Sequence, residues 1–261
     1  MGIYHTEKHY DMDGKSRCIV LRTVKLGDDK MIAELLCREW GRRSVLLPFG
    51  GRRGGGRGAS RRGGGGAIRR NLMQPLNILE ADIYSTPRMS MSRLSDARLA
   101  VVYTSLPFDG PKLSLAFFVA EFLSFSTRDL HRDPLLYDFV EQSLRWLDAS
   151  ERGIVNFHLM FMMRMSRFLG FHPDLSGYHT GAFFDLREGC FCTSVPCHGD
   201  YLTPPDAEHM MSLMRMSPGN LHLFHLRRDE RNRITDFCLR FYRLHIPAFG
   251  EMKTLEVLRG L

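Results

Sequence analysis

The sequence predicts an α+β protein with two domains, because the period of its hydrophobic residues changes along the chain. Residues 16–85 carry short apolar segments separated by turn signals, which is typical of strands. From Arg93 onward apolar residues recur at helical spacing, except in a glycine-rich, cysteine-containing stretch over about 176–205. We therefore predict a barrel domain over residues 1–85 and a helical domain over 86–261 with an irregular insertion.

The first domain contains four segments that favour strands. Residues 16–26 are apolar and β-branched, and the turn signal at 27–29 follows them. Residues 30–39 fit either a helix or a strand, but their hairpin-like spacing favours a strand. Residues 43–49 and the part of 72–84 after Pro75 complete the set. A small β-barrel closes such a sheet without exposed edges.

The second domain is predicted to be an antiparallel helical bundle. Its first helical pattern begins at Arg93 with Leu94 and Ala97, and it resumes over 113–123. Further helices are expected from Asp133-Pro134, over 155–169 with Gly170 as the stop, and over 206–216 and 218–226. A charged turn over 227–233, an amphipathic stretch and a short helix over 253–261 end the chain.

Residues 50–66, GGRRGGGRGASRRGGGG, hold ten glycines, five arginines and no acidic residue. Between Glu39 and Glu80 there are nine arginines and no Asp or Glu, so residues 1–79 carry +9 and the rest of the chain −2. Guanidinium groups fork onto phosphate oxygens, and glycine lets the backbone approach closely. The stretch favours contact with nucleic acid. A solvated insertion that only aids solubility is the alternative.

Composition excludes several classes. Charged residues make up 25% and hydrophobic residues 44% of the 261 residues, as in a soluble globular protein. The longest apolar run, near 113–125, is interrupted by Glu121 and is too short to cross a bilayer. The start of the sequence lacks the apolar core of a signal peptide, and the six cysteines are irregularly spaced. We expect a cytoplasmic protein with free thiols and no membrane partner.

Four segments resemble, in chain order, the bacterial RecO family of recombination and repair proteins. They are IVLRTVKLGDDK at 19–30, LMQPLNILE at 72–80, FLGFHPDL at 168–175, and YRLHI at 242–246 with KTLEVL at 253–258. The resemblance implies an N-terminal OB-fold, a helical domain and a small zinc-ribbon-like insertion. It also implies a nucleoid-associated, non-enzymatic mediator that anneals single strands, engages the acidic tail of single-stranded DNA-binding protein, and joins RecR to load recombinase onto DNA. The loop after Phe49 is longer and richer in glycine than the resemblance requires.

An OB barrel binds single strands through a basic groove and stacking aromatics. Aromatic residues are scarce here, since Trp40 and Phe49 are the only ones between Tyr10 and Tyr84. Trp40 fits a stacking platform or a core residue. Phosphate contacts should therefore dominate binding to single-stranded and double-stranded DNA. The predicted DNA-binding residues are Arg22, Lys25, Lys30, Arg38, Arg42, Arg43, Arg52, Arg53, Arg57, Arg61, Arg62, Arg69 and Arg70.

The acidic partner tail needs an apolar groove with a basic rim. Helical segments of the second domain could supply it, with ordinary core and surface as the alternative reading of each residue. The predicted groove residues are Phe168, Leu169, Phe171, Arg128, Arg164 and Arg167.

The insertion departs from the resemblance in its cysteines. Many members carry two Cys-x-x-Cys pairs after the Pro-x-Leu motif, but SGYHTGAFF at 176–184 has none. The remaining candidates are Cys190, Cys192, Cys197 and His198, and a tetrahedral site of three thiolates and one imidazole suits zinc. Adjacent Cys197 and His198 would diverge, however. We expect structural thiols and no cofactor, with zinc as the open alternative.

Two other functions compete with this prediction. A hydrolase or metal-dependent nuclease could draw on histidines and acids in the second domain, namely His158, His172, His179, Asp174, Asp185 and Glu188. The sequence holds no phosphate loop with a following Lys, no His-Glu-x-x-His and no Gly-x-Ser-x-Gly, so we expect no enzyme. The second competitor is an RNA-binding OB-fold protein of translation.

Overall fold

The computed structural model describes residues 14–27, 30–48, 70–85 and 91–261. The chain divides into two compact units. The barrel unit comprises Met1–Val102 with Leu130–Tyr137, and the helical unit comprises Tyr103–Asp129 with Asp138–Leu261.

Five strands of the barrel unit form a closed barrel. They are β1 (Gly14–Leu26), β2 (Lys30–Cys37), β3 (Gly41–Pro48), β4 (Ile78–Tyr84) and β5 (Ser92–Leu99). The order around the barrel is β1-β2-β3-β5-β4, and β1 pairs with both β2 and β4. The parallel pairing of β3 with β5 closes it. The predicted OB-like barrel and its first four strands are confirmed, including the ambiguous second segment.

Every second side chain of the barrel strands points into the barrel and forms its core. Cys18 and Val20 of β1, Ala33 and Leu35 of β2, and Val45 of β3 are all 0% exposed and point inward. The pairing register of β1 shifts between Val20 and Arg22. Such a bulge bends the strand, so one 13-residue strand can serve two neighbours around the barrel.

The helix predicted from Arg93 is wrong, because Ser92–Leu99 is strand β5 and the barrel extends beyond residue 85. Leu94 pairs with Ile83 and Ala97 with Ala81, with a register shift between these pairs. The extra residue of this bulge sets the two core-packing residues of β5 three positions apart. A spacing of three residues is also the spacing of a helix face. Because the segment pairs with β4, it forms a strand.

Six α-helices follow the barrel strands in the described part of the chain, and α2 begins within the barrel unit's segment Leu130–Tyr137. They are α1 (Gly110–Ser126), α2 (Pro134–Ala149), α3 (Phe157–Phe168), α4 (Pro204–Arg215), α5 (Arg228–His245) and α6 (Leu255–Leu258). Gly170 has a φ of 84°, which suits the residue that follows a helix end, so the predicted stop of α3 is confirmed. No helix in the described part of the chain is long and apolar enough to cross a membrane.

Two helical-unit predictions need correction. Residues 218–226 hold only a 3-10 turn, Leu221–Leu223, because Ser217 and Asn220 bond each other and the local backbone instead of continuing a helix. Residues 228–233 are the first turns of α5, not a charged turn. Asp229 and Glu230 lie in its first turn, where carboxylates interact favourably with the helix dipole, and Glu230 accepts a hydrogen bond from the backbone of Arg227.

The insertion contains a small three-stranded sheet. Its strands are β6 (Phe183–Asp185), β7 (Cys190–Cys192) and β8 (Tyr201–Leu202), in the order β7-β6-β8. Phe184 of the central strand is buried and packs edge-on against Phe191, with ring centroids 5.0 Å apart. The sheet is thus held by an aromatic core.

Candidate nucleic-acid interface

The β1–β2 hairpin carries two of the predicted DNA contacts. Lys25 and Lys30 are exposed, and Lys30 lies opposite Pro48 in the β2–β3 ladder. The arginine-rich connection from β3 to β4 starts directly after Pro48. These lysines therefore lie where that connection leaves the barrel. Asp28 and Asp29 of the hairpin turn lie outside the described residues.

The middle of this side is organised by a carboxylate that the sequence analysis did not single out. Glu34 on β2 lies 2.5 Å from Arg22 of β1 and also pairs with Arg42 of β3. Burial alone would raise the pKa of Glu34, but the hydrogen bond from Arg22 and the charges of both arginines outweigh it and hold that pKa below its ordinary value. Glu34 thus links β1, β2 and β3. It is also the ion-pair partner of Arg22 and Arg42, two residues that the sequence predicts to contact DNA.

The opposite end of the strands carries the remaining described contacts. Arg38 lies 3.7 Å from Glu39 in the β2–β3 turn, and the Arg43 guanidinium donates to the Arg42 carbonyl at 2.8 Å. Since a strand rises about 3.3 Å per residue, the two ends of β2, Lys30 and Cys37, lie about 23 Å apart, and Arg38 follows Cys37 directly. Lys25 lies opposite Met31 and Arg43 opposite Leu35, so these two share rows with core residues, whereas Arg22 lies opposite Glu34 in an outer row. We use the name β1–β3 side for the predicted basic residues of these three strands and the turn between β2 and β3, namely Arg22, Lys25, Lys30, Arg38, Arg42 and Arg43.

The arginine-rich connection itself is described only at its end. Arg70 begins a 3-10 turn, Arg70–Met73, that leads toward β4. The other predicted contacts in it, Arg52, Arg53, Arg57, Arg61, Arg62 and Arg69, lie outside the described residues.

The far side of the barrel has a different charge pattern. In one row Lys15 lies opposite Asp82, which lies opposite Asp96. In the next row Arg17 lies opposite Glu80, which forms an ion pair with Arg98. The two rows hold three basic and three acidic residues and form what we call the β4–β5 side. All of these residues except Arg17 line a polar cleft. With no excess of either sign, this side offers little attraction to a phosphate backbone.

The described part of the barrel has few aromatic platforms for bases. Trp40 is half-buried and packs against the barrel core. This placement favours the core reading of Trp40 over the stacking one. Phe49 lies outside the described residues, and Tyr84 is half-buried at the end of β4.

Comparison with known proteins identifies the family. The family model described as Recombination protein O C terminal matches residues 107–254. The chain is 37% identical over 243 residues to the DNA repair protein RecO of Phocaeicola vulgatus, covering 93% of this chain and 96% of that protein. The chain belongs to the RecO family. RecO proteins of Bacteroides fragilis (35% identity, 93% of this chain and 96% of that protein) and Porphyromonas gingivalis (34%, 94% and 98%) are similarly related.

The predicted groove for a partner tail falls in the helical unit of this RecO-family chain, in aromatic surroundings. Phe168 stacks on Phe139 with ring centroids 5.2 Å apart, whereas Phe171 stacks on His245 at 4.9 Å. The two predicted phenylalanines thus face different helices, α2 and α5. Leu169 is half-buried and follows the last residue of α3.

The basic residues predicted for the rim of that groove also contact different parts of the helical unit. Arg164 donates to the Met216 carbonyl at 3.2 Å, and Arg128 lies over the Phe125 ring, 5.9 Å from its centroid. Arg167 is exposed in the last turn of α3. The groove stays a prediction, with Arg128 and Arg167 as its exposed cations.

The insertion does not bring its metal candidates together. Both ring nitrogens of His198 have protein partners, Asp185 at 3.1 Å and the Asp200 backbone at 3.2 Å. Burial and the charge of Asp185 raise the pKa of the Cys190 and Cys192 thiols, which disfavours the thiolates that zinc requires. Cys197 is exposed. In the described ranges, no three His, Cys, Asp or Glu residues could jointly hold a metal ion, so these donors do not fit a tetrahedral site. Whether zinc binds stays a prediction.

The candidate residues of an enzyme occupy separate local hydrogen bonds. His158 is buried, where desolvation lowers its pKa to about 3, and its Nε2 lies 2.9 Å from Thr235 Oγ1. His172 Nδ1 lies 3.3 Å from Ser166 Oγ, and exposed His179 lies 3.0 Å from the Thr180 carbonyl. The remaining candidates hold turns: Asp174 accepts from the Ser176 backbone, and Asp185 accepts from the backbones of Arg187 and Glu188. The expectation of no enzyme stays a prediction.

Proposed function

We propose that this RecO-family chain is a DNA repair and recombination mediator that binds single-stranded DNA and anneals complementary strands. In this proposal it helps load recombinase with RecR and single-stranded DNA-binding protein in the cytoplasm, at the nucleoid. The observation that carries the proposal is the concentration of positive charge in one connection of an OB-like barrel. Nine arginines and no acidic residue lie between Glu39 and Glu80, and seven of the nine follow β3 in the connection to β4. The printed names of the relatives, DNA repair protein RecO, agree with it.

Electrostatics support the β1–β3 side as the surface that meets DNA. The arginine-rich connection joins β3 to β4 and leaves the barrel beside Lys30. A strand bound here would follow the lysines of the hairpin and the arginines of the connection. Each phosphate neutralised releases counterions, so binding should be strong at low salt and weak at high salt.

The scarcity of aromatic platforms supports annealing over stable sequestration. Proteins that hold single strands tightly stack bases on aromatic side chains, each worth about 1–3 kcal/mol. Trp40 packs on the core of this barrel instead. Bases that are not clamped stay free to pair, while arginines lower the repulsion between the two phosphate backbones.

The protein partners rest on the family alone. An acidic tail would meet the cations near the end of α3, of which Arg167 is exposed. Changing Arg167 to Glu should weaken binding of an acidic, apolar-ended peptide without changing affinity for DNA. Peptide affinity can be measured by fluorescence anisotropy beside that of Arg215→Glu, a charge-matched change at the end of α4.

The deciding experiment is annealing of two complementary labelled oligonucleotides by the full chain across a salt series. We expect acceleration that disappears as salt rises, with the total length of each strand conserved. Shortened strands in the presence of divalent metal would instead indicate a nuclease. Tighter binding to structured RNA than to single-stranded DNA would indicate the translation alternative.

A matched pair of variants locates the activity on the barrel. Lys25→Ala with Lys30→Ala removes two charges from the β1–β3 side, and Lys15→Ala with Arg98→Ala removes two from the β4–β5 side. We expect the first pair to lower single-strand affinity about fivefold and the second less than twofold. Equal losses of affinity in the two double variants would show that binding depends only on net charge. That result would contradict the proposal that DNA binds on the β1–β3 side.

A further inference from the structure

Two cysteines face each other inside the barrel, far apart in sequence but adjacent across two strands. Cys18 of β1 and Cys37 of β2 are direct partners in the antiparallel ladder. They are 0% and 1% exposed, and their sulfur atoms lie 3.1 Å apart. Both are free thiols.

The backbone around this pair has the geometry that a disulfide needs. The Arg38 N–H donates to the Arg17 carbonyl at 2.9 Å, so the residues flanking the cysteines form a hydrogen-bonded pair. Cys18 and Cys37 therefore occupy a non-hydrogen-bonded position, where Cα atoms lie about 4.5 Å apart and side chains approach most closely. Disulfides span Cα separations of about 4.4–6.8 Å.

Only a small rotation of the two side chains separates the thiol pair from a linked pair. On the far side of Cys37 its ladder partner is Gly41, which has no side chain, and on the far side of Cys18 it is Leu79. Bringing the sulfurs from 3.1 Å to a bond length of about 2.05 Å requires a shift of about 1 Å. The pairing register of β1 and β2 can stay as it is.

We propose that Cys18 and Cys37 are an oxidation site, a thiol pair that a low-molecular-weight disulfide links into a cross-strand disulfide. The linkage ties β1 to β2 at the end of the barrel next to Arg38. It is independent of what the barrel binds.

The reaction with glutathione disulfide balances as two exchanges. One protein thiolate attacks a glutathione sulfur, so a protein–glutathione bond forms as the glutathione S–S bond breaks and one glutathione leaves. The second protein thiolate then attacks the first protein sulfur and releases the second glutathione. The two protein thiols lose two electrons and two protons, and the two released glutathiones gain them.

Burial controls when the reaction occurs. The hydrogen bond with Cys18 and burial in the barrel raise the pKa of the Cys37 thiol well above its ordinary value. The Cys37 thiolate is therefore scarce in the folded barrel, and both sulfur atoms are buried, so we expect linkage to be fastest while the barrel folds or opens.

The other four cysteines are poorer pairs. Cys190 and Cys192 lie two positions apart on one strand, a separation of about 6.6 Å, which exceeds the Cβ distance of about 3.5–4.5 Å that a disulfide requires. Cys197 is exposed and Cys238 is buried in α5. In an oxidation experiment these four cysteines therefore serve as internal controls, since each could in principle form a disulfide in place of the Cys18–Cys37 link.

The test is refolding of the full chain in a mixture of reduced and oxidised glutathione, followed by acid quench, alkylation, trypsin and mass spectrometry. Trypsin separates Cys18 (residues 18–22) from Cys37 (31–38), and both from the peptides at 188–215 and 234–240 that hold the other cysteines. We expect the linked peptide 18–22/31–38 to exceed any other internal link at least about tenfold. Stable glutathione adducts at Cys18 or Cys37 without this link, or a dominant link elsewhere, would overturn the proposal.

A thermal measurement provides the second readout. Oxidised wild-type chain should unfold several degrees above the reduced chain, because the link restricts the unfolded state. The same oxidation applied to Cys37→Ala should leave its midpoint unchanged, whatever the starting stability of that variant. An equal rise in Cys37→Ala would assign the effect to another cysteine and contradict the proposal.

Discussion

In the described barrel, the buried polar side chains are serines, Ser16 and Ser92, and the charged groups lie at or near the surface. The helical unit instead buries Lys112, Glu141, His158 and Arg231, each less than 8% exposed. The amino group of Lys112, for example, donates to Ser105 Oγ at 2.6 Å and to the Asp148 carbonyl at 2.7 Å. Such groups are committed to partners within the protein.

This difference suggests separate roles for the charged groups of the two units, binding in the barrel unit and stability in the helical unit. Surface cations of the barrel can exchange water and counterions for phosphate at little cost to the fold. Buried polar groups of the helical unit hold loops and helices in one arrangement, and losing a partner costs the desolvation of the other. Charge changes in the barrel should therefore alter binding, and polar changes in the helical unit should alter stability.

The largest effect is expected from the arginine-rich connection. Changing Arg52, Arg53, Arg57, Arg61 and Arg62 to Ala should lower single-strand affinity about 100-fold at low salt and reduce the salt slope by about 3.5, since each phosphate contact contributes about 0.7. Fluorescence anisotropy with a labelled oligonucleotide measures both. The free energy of unfolding should stay within about 0.5 kcal/mol of wild type. If the affinity were unchanged, the connection would not contact DNA, and the alternative of a solvated insertion would hold.

The second effect tests the helical unit through Asp148. This carboxylate accepts hydrogen bonds from the backbone N–H groups of Thr104, Ser105 and Leu106 at 2.7–3.1 Å, and they hold its pKa at about 2 although burial opposes this. Asp148→Ala should lower the free energy of unfolding by about 2–3 kcal/mol and leave DNA affinity unchanged. Asp236→Ala, which removes an exposed ion pair with Arg259, should cost less than about 0.5 kcal/mol in the same denaturation assay. Equal losses in the two variants would contradict the account.

The third effect is a pH dependence from His158. Its folded-state pKa of about 3 lies below the ordinary value of 6.5, so the unfolded chain binds the extra proton between these pH values. The contribution is constant above pH 6.5, and stability falls by about 1.4 kcal/mol per pH unit below it, or about 2 kcal/mol at pH 5. His158→Gln should lose that slope, whereas the exposed His179→Gln should keep it. Parallel curves for wild type and His158→Gln between pH 7 and pH 5 would refute this assignment.

The smallest effect sharpens the contrast within the barrel. Glu34→Gln removes the carboxylate that holds Arg22 and Arg42, which should raise single-strand affinity about two- to threefold as the two arginines become available. Glu80→Gln removes a carboxylate from the β4–β5 side, where few phosphate contacts are expected, and should change affinity less than about 1.5-fold. A larger gain from Glu80→Gln would place the DNA on the other side of the barrel.

The sequence predicts strands well where period and turn agree. Residues 16–26 have a strand pattern, and residues 30–39, whose period fits a helix or a strand, follow a glycine turn at hairpin-like spacing; both segments form strands. It fails for β5, because a bulge between Leu94 and Ala97 gives a strand the spacing of a helix. It also misses the first turns of α5, because clustered charges near Asp229 and Glu230 resemble a turn until their position at a helix start is known.

The candidate site is predictable in composition and not in pairing. The arginine excess is visible in the sequence, whereas the bridge from Glu34 to Arg22 and Arg42 depends on the register of three strands. The cysteine pair is hidden in the same way. Nothing in the spacing of Cys18 and Cys37 marks them as neighbours, and only the β1–β2 register brings them together.

The most direct test of the central claim is the salt dependence of single-strand binding by the wild-type chain. Affinity for one labelled oligonucleotide would be measured from about 50 to 300 mM salt. We expect the logarithm of the association constant to fall linearly with the logarithm of salt, with a slope of about −3.5 or steeper, as five or more phosphate contacts require. A flat line would contradict it, since a barrel that binds through its arginines cannot be indifferent to salt.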